Sequence, residues 1–526
     1  MDHKHAIERI LALEDACDVT AIRYKGLAIW PYIRLLLWSR MLNPGKFKPA
    51  PEVGLAVWSQ MHAASFAQRE NYAAFMRHYE QHLRNLVALR GHDAIDALFF
   101  SRVEDHADRF GGAYYNRHLD PMIDLARGRS SFLKLELTTA GAAQTVPRFE
   151  ATQFLDSTDF VRYEARRGMI QAFASGEPVP GIEGIEGFFA ELRRLEPGFP
   201  LTREQLYIEV EQLVQMRGYF RTMLSALGPK AVWTVCYYYD IAMALMAACA
   251  DLGIVSVDVQ HGKQGRFHGM YTHWQRMPAE GYALLPELFW CWGDDSREHI
   301  ERWLPVGNHR HGVVVGGNRW LAKWANHDTD NLVLEEEDER ALRRLDTSPK
   351  VVLVSLQPVN PILPTWLLEA IERSPASWSW MLRLHPLQRE QLPACQETLR
   401  SRGLTQVDLQ DATRLPLYAL LQRAHAHVTQ WSSVAYEALA FGVPSIVVGE
   451  TAATMFQPDI RSRRLLHASD ADGVLALLRG GADGPTYRAQ PAYIETDNRL
   501  ADEAYGSIME RAARRSKERI AGQEIA

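Results

Sequence analysis

The sequence predicts an α/β protein of two doubly wound domains facing each other across a cleft, with a helical insertion in the first. Three observations predict it. The chain has 526 residues, too many for one hydrophobic core. Short apolar runs of the kind buried in parallel sheets alternate with helical segments in two separate series. A break rich in Pro, Gly and Asn, residues 305–318, lies between the series.

Taken in order, the first ninety residues read mainly as helices. Over 71–90 the side chains of Phe75, Tyr79, Leu83 and Leu86 recur on one stripe, as an amphipathic helix requires. Strand-like runs follow at 97–100 and 132–135. A long, mostly helical insertion spans about 151–227, and strands resume at 232–239, 254–259 and 288–292. The second series begins near His311, where 313–315 reads as a strand ending in a turn at Gly316 and Gly317. The acidic run 335–339 reads as a solvated helix start, because adjacent carboxylates point around a helix and do not converge on a metal. Strands at 351–356, 380–384, 407–409, 427–429 and 445–448 complete the second series. The expected organisation is an N-terminal domain over 1–305, a C-terminal domain over 306–495 and a terminal helix over 496–526.

Composition narrows the function classes. With 47% hydrophobic and 23% charged residues the chain is neither disordered nor fibrous. Lys plus Arg total 58 against 64 Asp plus Glu, a net charge of −6, which argues against a general nucleic-acid binder. Five scattered cysteines without a Cys-x-x-Cys pair argue against a disulfide framework or a zinc site and suit a reducing compartment. No signal-peptide core opens the chain. The most apolar stretch, 231–259, is interrupted by Asp240 and Asp251, so no membrane span is expected and the location reads as cytoplasmic. Leu35, Leu36, Leu37 and Trp38 among Arg34, Arg40, Lys46 and Lys48 read either as a buried helix with a basic flank or as a peripheral membrane contact.

Ligands of open parallel sheets sit beyond the carboxyl ends of the strands, so the cleft is the default site and the strand ends hold the candidates. In the second series these are Gln357, Arg383, His385 before Pro386, and Ser432 with Ser433 opening a helix that carries Glu437. Hydroxyls and free amides at a helix start suit a phosphate, although one serine would equally cap the helix. Glu437 suits ribose hydroxyls, and His385 suits a phosphate or leaving-group oxygen. In the first series, Tyr237, Tyr238 and Tyr239 lead to Asp240, which is either a reactive carboxylate or a helix cap. The next strand ends in Gln260, His261, Gly262, Lys263, Gln264, Gly265 and Arg266, a polar, basic loop. Neither Gly-x-Gly-x-x-Gly nor Gly-x-x-x-x-Gly-Lys-Ser/Thr stands at these strands, which counts against dinucleotide and P-loop chemistry.

Arg383-Leu384-His385-Pro386 and Ser432-Ser433-Val434-Ala435-Tyr436-Glu437-Ala438-Leu439 resemble the His-Pro and Ser-Ser motifs of GT-B glycosyltransferases that use CMP-activated acidic sugars. Trp30-Pro31-Tyr32-Ile33-Arg34, Ser101-Arg102-Val103-Glu104-Asp105-His106, the Tyr-rich run to Asp240, and Val259-Gln260-His261-Gly262 extend the likeness to the retaining β-Kdo transferases of capsule and lipopolysaccharide assembly. The resemblance covers roughly residues 20 to 450.

It implies a GT-B fold of two Rossmann-like domains and a double displacement. Asp240 would attack the anomeric carbon of CMP-Kdo, and an acceptor hydroxyl would displace the resulting glycosyl-enzyme with net retention. Gln357, Arg383, His385, Ser432, Ser433 and Glu437 would hold the donor, His385 and Ser432 stabilising the leaving CMP. Gln260 would join them, while His261, Lys263 and Arg266 would neutralise the sugar carboxylate. Glu104 would act on the acceptor, with Arg102, Asp105 and His273 beside it; an ion pair of Glu104 or Asp105 with Arg102 or His106 is the competing structural explanation.

The CMP-sugar is a substrate, and neither a metal nor a further cofactor is implied. The partners would be the donor, a saccharide or lipid-linked acceptor and other polysaccharide-assembly enzymes at the inner membrane, with no nucleic acid. A sialyltransferase, a polyol-phosphate transferase, a nucleotide-sugar epimerase and a non-catalytic scaffold on the same fold are the rival readings.

Overall fold

The computed structural model describes residues 3–43, 95–102, 108–138, 147–155, 158–177, 179–262, 264, 267–305, 310–480 and 493–525. The expected helix over 71–90 lies outside them. The chain forms two compact units. Unit 1 comprises Met1–His106, His118–Gly316 and Arg499–Ala526; unit 2 comprises Ala107–Arg117 and Gly317–Asn498.

Unit 1 opens with a helix, His3–Ala16, and a small hairpin of β1 (Arg23–Tyr24) and β2 (Leu27–Ala28). Its main sheet has seven parallel strands: β3 (Ala97–Arg102), β6 (Phe132–Leu137), β7 (Thr152–Leu155), β8 (Ala231–Val235), β9 (Val255–Val259), β10 (Leu288–Cys291) and β11 (Gly312–Val315). β8, β9 and β10 are buried throughout, as strands covered by helices on both faces must be. The spatial order is β11-β10-β9-β8-β3-β6-β7, so the direction of winding reverses between β3 and β8.

Unit 2 holds six parallel strands: β12 (Lys350–Ser355), β13 (Trp378–Arg383), β14 (Val407–Asp408), β15 (Ala426–Thr429), β16 (Ser445–Val448) and β17 (Leu466–Ala468). Their order, β14-β13-β12-β15-β16-β17, reverses between β12 and β15. Both sheets therefore follow the doubly wound order in which ligands lie at the reversal. The fold is α/β with two Rossmann-like parallel sheets, the GT-B class that the strand pattern and the resemblance anticipate.

Three features depart from a linear reading. The strand expected to open the second series is β11, and it completes the first sheet, pairing Gly312–Val315 with Leu288–Cys291. The ladder continues through the Gly316 amide, which donates to the Cys291 carbonyl at 3.1 Å, and Trp290 occupies the space a Gly316 side chain would need. Next, a hairpin of β4 (Asp108–Phe110) and β5 (Ala113–Tyr115), early in the chain, belongs to unit 2. Phe110 and Tyr115 pack on Trp320 with ring centroids 5.8 and 4.7 Å apart, the kind of pair that adds about 1 kcal/mol beyond burial. Finally, the last helix, Asn498–Ile525, runs through unit 1. There Tyr505 stacks on Trp233 at 5.4 Å, and Arg511 and Arg515 both pair with the largely buried Glu287.

The insertion is helical after β7, with helices Thr158–Ser175, Ile185–Leu195 and Arg203–Leu227. The last begins in a capping box, with Thr202 and Gln205 satisfying each other's amides at 3.2 Å. Beside it packs the helix Asp240–Leu252, whose residues Ala242–Cys249 are all buried and which stops at Gly253 with φ +63°. Among the described residues no helix is long and apolar enough to cross a membrane. The Leu35–Trp38 run lies in the helix Trp30–Leu42, with Arg34, Leu37, Trp38 and Arg40 buried, which favours the buried-helix reading of that stretch.

Candidate functional site

The reversal in the unit 2 sheet sets three strand ends side by side, since β13, β12 and β15 are consecutive neighbours about 4.8 Å apart. At their C-terminal ends stand the residues singled out above: Arg383 as the last residue of β13 and His385 just after it, Gln357 after β12, and Ser432 and Ser433 after β15. β12 and β15 are further tied at this end by the Thr429 hydroxyl, which donates to the Ser355 carbonyl at 2.7 Å. One layer deeper His427 sits fully buried between the Ser355 and Ser445 hydroxyls, 3.0 Å from each, and burial pushes its pKa down to about 3.

Each side chain arrives with part of its bonding already used. The His385 ring accepts the Leu387 amide at Nδ1, 3.2 Å away, as it caps the 3-10 helix Pro386–Gln391. A neutral ring bonded in this way keeps its proton on Nε2, which leaves one N–H donor for an anion. Desolvation lowers its pKa, favouring that neutral form. Arg383 donates from Nη1 to the Ala412 and Leu415 carbonyls at 2.7 and 2.5 Å, so the fold holds one edge of its guanidinium, and burial lowers its pKa to about 10. Gln357 is buried, with its amide 3.5 Å from the Thr429 hydroxyl.

The two serines divide the tasks at the start of the helix Val434–Ala440. Ser432 accepts the Val434 amide on its hydroxyl at 3.3 Å, whereas the Ser433 hydroxyl donates to Glu437 at 3.3 Å. Glu437 is buried and also accepts the Tyr418 hydroxyl at 2.7 Å; Tyr418 in turn receives the Asn318 amide at 3.3 Å. The carboxylate is thus anchored by the fold and retains lone pairs for a further donor.

The hairpin of β4 and β5 reaches this region, a contribution that no sequence motif signals. Asp108 is buried, and desolvation raises its carboxyl pKa against the opposing pull of Arg117, Arg383 and Arg389. Arg117 likewise acts on Tyr418. Positive charge from two distant stretches of sequence therefore gathers beside the β13 end.

In unit 1 the reversal lies between β3 and β8, and the chain leaving β8 is the Tyr-rich run. Cys236 takes φ +61°, costly for a non-glycine residue, and redirects the backbone there. Tyr237 turns into the core and donates to the Met270 carbonyl. Tyr239 receives the Arg102 guanidinium from the β3 end, 4.7 Å from its ring. Asp240 is the first residue of its helix, following the N-cap Tyr239, whose side chain makes no capping bond. Its carboxylate faces Arg162 of the insertion at 3.2 Å. The cap position itself is Tyr239, and the Asp240 carboxylate meets a cation.

His261 follows β9 and shares the Tyr238 hydroxyl with His268. Below them Asp258 is fully buried, accepting the Tyr271 hydroxyl at 2.7 Å and the Tyr237 amide at 3.0 Å, and burial raises its pKa to about 7. Gln260 is engaged inside unit 1: its amide donates to the Gly262 carbonyl and the Ser296 hydroxyl at 2.8 and 3.0 Å and accepts the Trp292 amide at 2.7 Å. These bonds hold the start of the loop that follows β9. His273 is exposed with φ +58°, and its carbonyl accepts from the buried Arg34. Glu104, Asp105, Lys263 and Arg266 lie outside the described residues. No group of three or more His, Cys, Asp or Glu that could hold a metal occurs among the described residues.

No family model matches the chain, and no curated protein matches it. Solved structures resemble its fold at low identity. The UDP-GlcNAc 2-epimerase of Neisseria meningitidis, bound to UDP-GlcNAc, is 15% identical with a TM-score of 0.48, covering 79% of this chain and 100% of that one. The Methanocaldococcus jannaschii UDP-GlcNAc 2-epimerase gives 10%, 0.46, 79% and 99% for the same measures. An Anabaena protein in complex with UDP and glucose gives 10%, 0.36, 82% and 100%. Likeness at this level bears on neither substrate nor reaction.

Proposed function

We propose that this chain is a glycosyltransferase that moves an acidic sugar, Kdo, from CMP-Kdo to a saccharide acceptor of capsule or lipopolysaccharide O-antigen synthesis, with retention of configuration. The observation that carries the reading is the convergence of Gln357, His385, Ser432 and Ser433 on three adjacent strand ends at the reversal of the unit 2 sheet. It supports a nucleotide site in which His385 donates from Nε2 to the phosphate. The Ser432 and Ser433 hydroxyls assist, and Glu437 accepts from ribose. The motif resemblance supports CMP as the nucleotide.

In this reading Asp240 is the nucleophile. Its carboxylate oxygen bonds to the anomeric carbon as the bond to the CMP phosphate oxygen breaks, and the electron pair leaves on CMP. An acceptor hydroxyl then attacks the same carbon, passes its proton to Glu104 and releases the carboxylate, so that two inversions restore configuration. Arg162 orients the Asp240 carboxylate before attack.

The deciding experiment is a thermal-shift panel of CMP, CDP, UMP, UDP, GDP and ADP. A ligand bound only to the native state at about a hundred times its Kd adds about 2.7 kcal/mol. Stabilisation by CMP alone supports the reading, and trapping the sugar on Asp240 follows. Stabilisation by UDP or GDP without CMP overturns the Kdo assignment and favours another nucleotide-sugar enzyme.

A further inference from the structure

The Tyr238 hydroxyl lies 3.2 Å from Nε2 of His261 and 3.2 Å from Nε2 of His268. A phenol has one proton to give, so the two imidazoles cannot both accept from it. His268 decides the direction. Its Nδ1 accepts the Met270 amide at 3.4 Å, which leaves the ring proton on Nε2. Packing against Trp38 and Tyr271, with centroids 6.0 and 4.9 Å away, desolvates the ring and keeps it neutral. His268 therefore donates to Tyr238, and Tyr238 gives its single proton to Nε2 of His261. The Cys236 thiol also reaches this hydroxyl, but sulfur is a weak partner beside two imidazoles.

We infer that Tyr238 is a positioning residue that fixes His261 as the Nδ1–H tautomer. With Nε2 already accepting, the ring proton sits on the buried Nδ1, and Nε2 is not available to act as a general base. Within the functional reading proposed above, on which this consequence rests, His261 is then not the group that takes the proton of the acceptor hydroxyl. The positive φ of Cys236 serves the same end, because it sends Tyr237 into the core and leaves Tyr238 facing the histidines.

The test is the two-bond proton–nitrogen spectrum of the full-length protein labelled with ¹⁵N-histidine, with His261→Gln used to assign the signal. The expected result is His261 as Nδ1–H with a preference of about ten-fold, the equivalent of one net hydrogen bond. Tyr238→Phe retains the ring packing and is expected to collapse that preference to a mixture of tautomers. His268→Gln, whose amide can still donate to Tyr238, is expected to retain the tautomer. An Nε2–H signal in the wild type, or an unchanged Nδ1–H signal in Tyr238→Phe, would overturn the inference. These spectra need no donor, so a failure of CMP to bind would remove the Kdo reading and leave the tautomer result standing.

Discussion

The Asp240 carboxylate stands 3.2 Å from the Arg162 guanidinium, an ion pair joining the start of a helix in the unit 1 sheet layer to the helical insertion. Both groups remain partly exposed, at 28% and 42% of the side chain, so the pair is worth well under about 1 kcal/mol to stability and its value lies in orientation.

Arg162→Ala is accordingly expected to leave the melting temperature within about 2 °C of wild type while lowering the transfer rate about ten-fold or more. Asp240→Asn is expected to abolish turnover with CMP affinity unchanged. If single-turnover kinetics showed full activity in Asp240→Asn, the nucleophile assignment would be lost.

The two serines at the β15 end make separate bonds, one to the Val434 amide and one to Glu437. Replacing both with alanine is expected to weaken CMP binding about ten-fold or more in calorimetry, the loss of about 1.4 kcal/mol. Unchanged affinity would place the nucleotide elsewhere.

Tyr418 anchors the buried Glu437 and is itself held by Asn318. Tyr418→Phe strands one carboxylate oxygen without its partner, a loss of about 1–3 kcal/mol, which chemical denaturation of the purified protein would register. Ribose recognition should suffer with it, so cytidine is expected to compete with CMP less well than in wild type.

Two buried groups carry opposite pH dependences. His427, held neutral near pKa 3, lets the unfolded chain bind a proton that the folded one refuses. Its contribution is present above about pH 6.5 and is lost as pH falls from there towards 3. Asp258, near 7, behaves in reverse: the folded state holds a proton that the unfolded state has released, so stability declines as pH rises from about 4 to 7. Between pH 4 and 6.5, His427→Gln should make stability rise less steeply with pH and Asp258→Asn should make it rise more steeply, each by about 1.4 kcal/mol per pH unit, read from denaturant midpoints. An unchanged slope in either variant would mean that the group is ionised in the fold.

Much of unit 2 was legible because its cues are local. The apolar runs at 351–356, 380–384 and 427–429 are bounded by polar, Pro- or Ser-containing turns, and the residues next in sequence fall at the β12, β13 and β15 ends. A parallel strand has to leave its layer where its apolar run stops, so the following side chains are bound to stand at the sheet edge. Unit 1 was less legible. An apolar run such as 313–315 announces a strand but not its neighbour, and β11 fits the first sheet because Gly316 gives Trp290 room.

The sequence by itself determined the α/β class, most of the strands and which residues stand at their ends, since these follow from period, polarity and turn residues over a few positions. Only the tertiary structure decided which residues meet. It brought Arg162 to Asp240, His268 to Tyr238 and His261, and the early hairpin to Trp320 and the β13 end. Each pairing joins stretches far apart in the chain and depends on the order in which strands are wound into the sheets. That order is settled by burying every helix and sheet face at once, and no local pattern of residues records it.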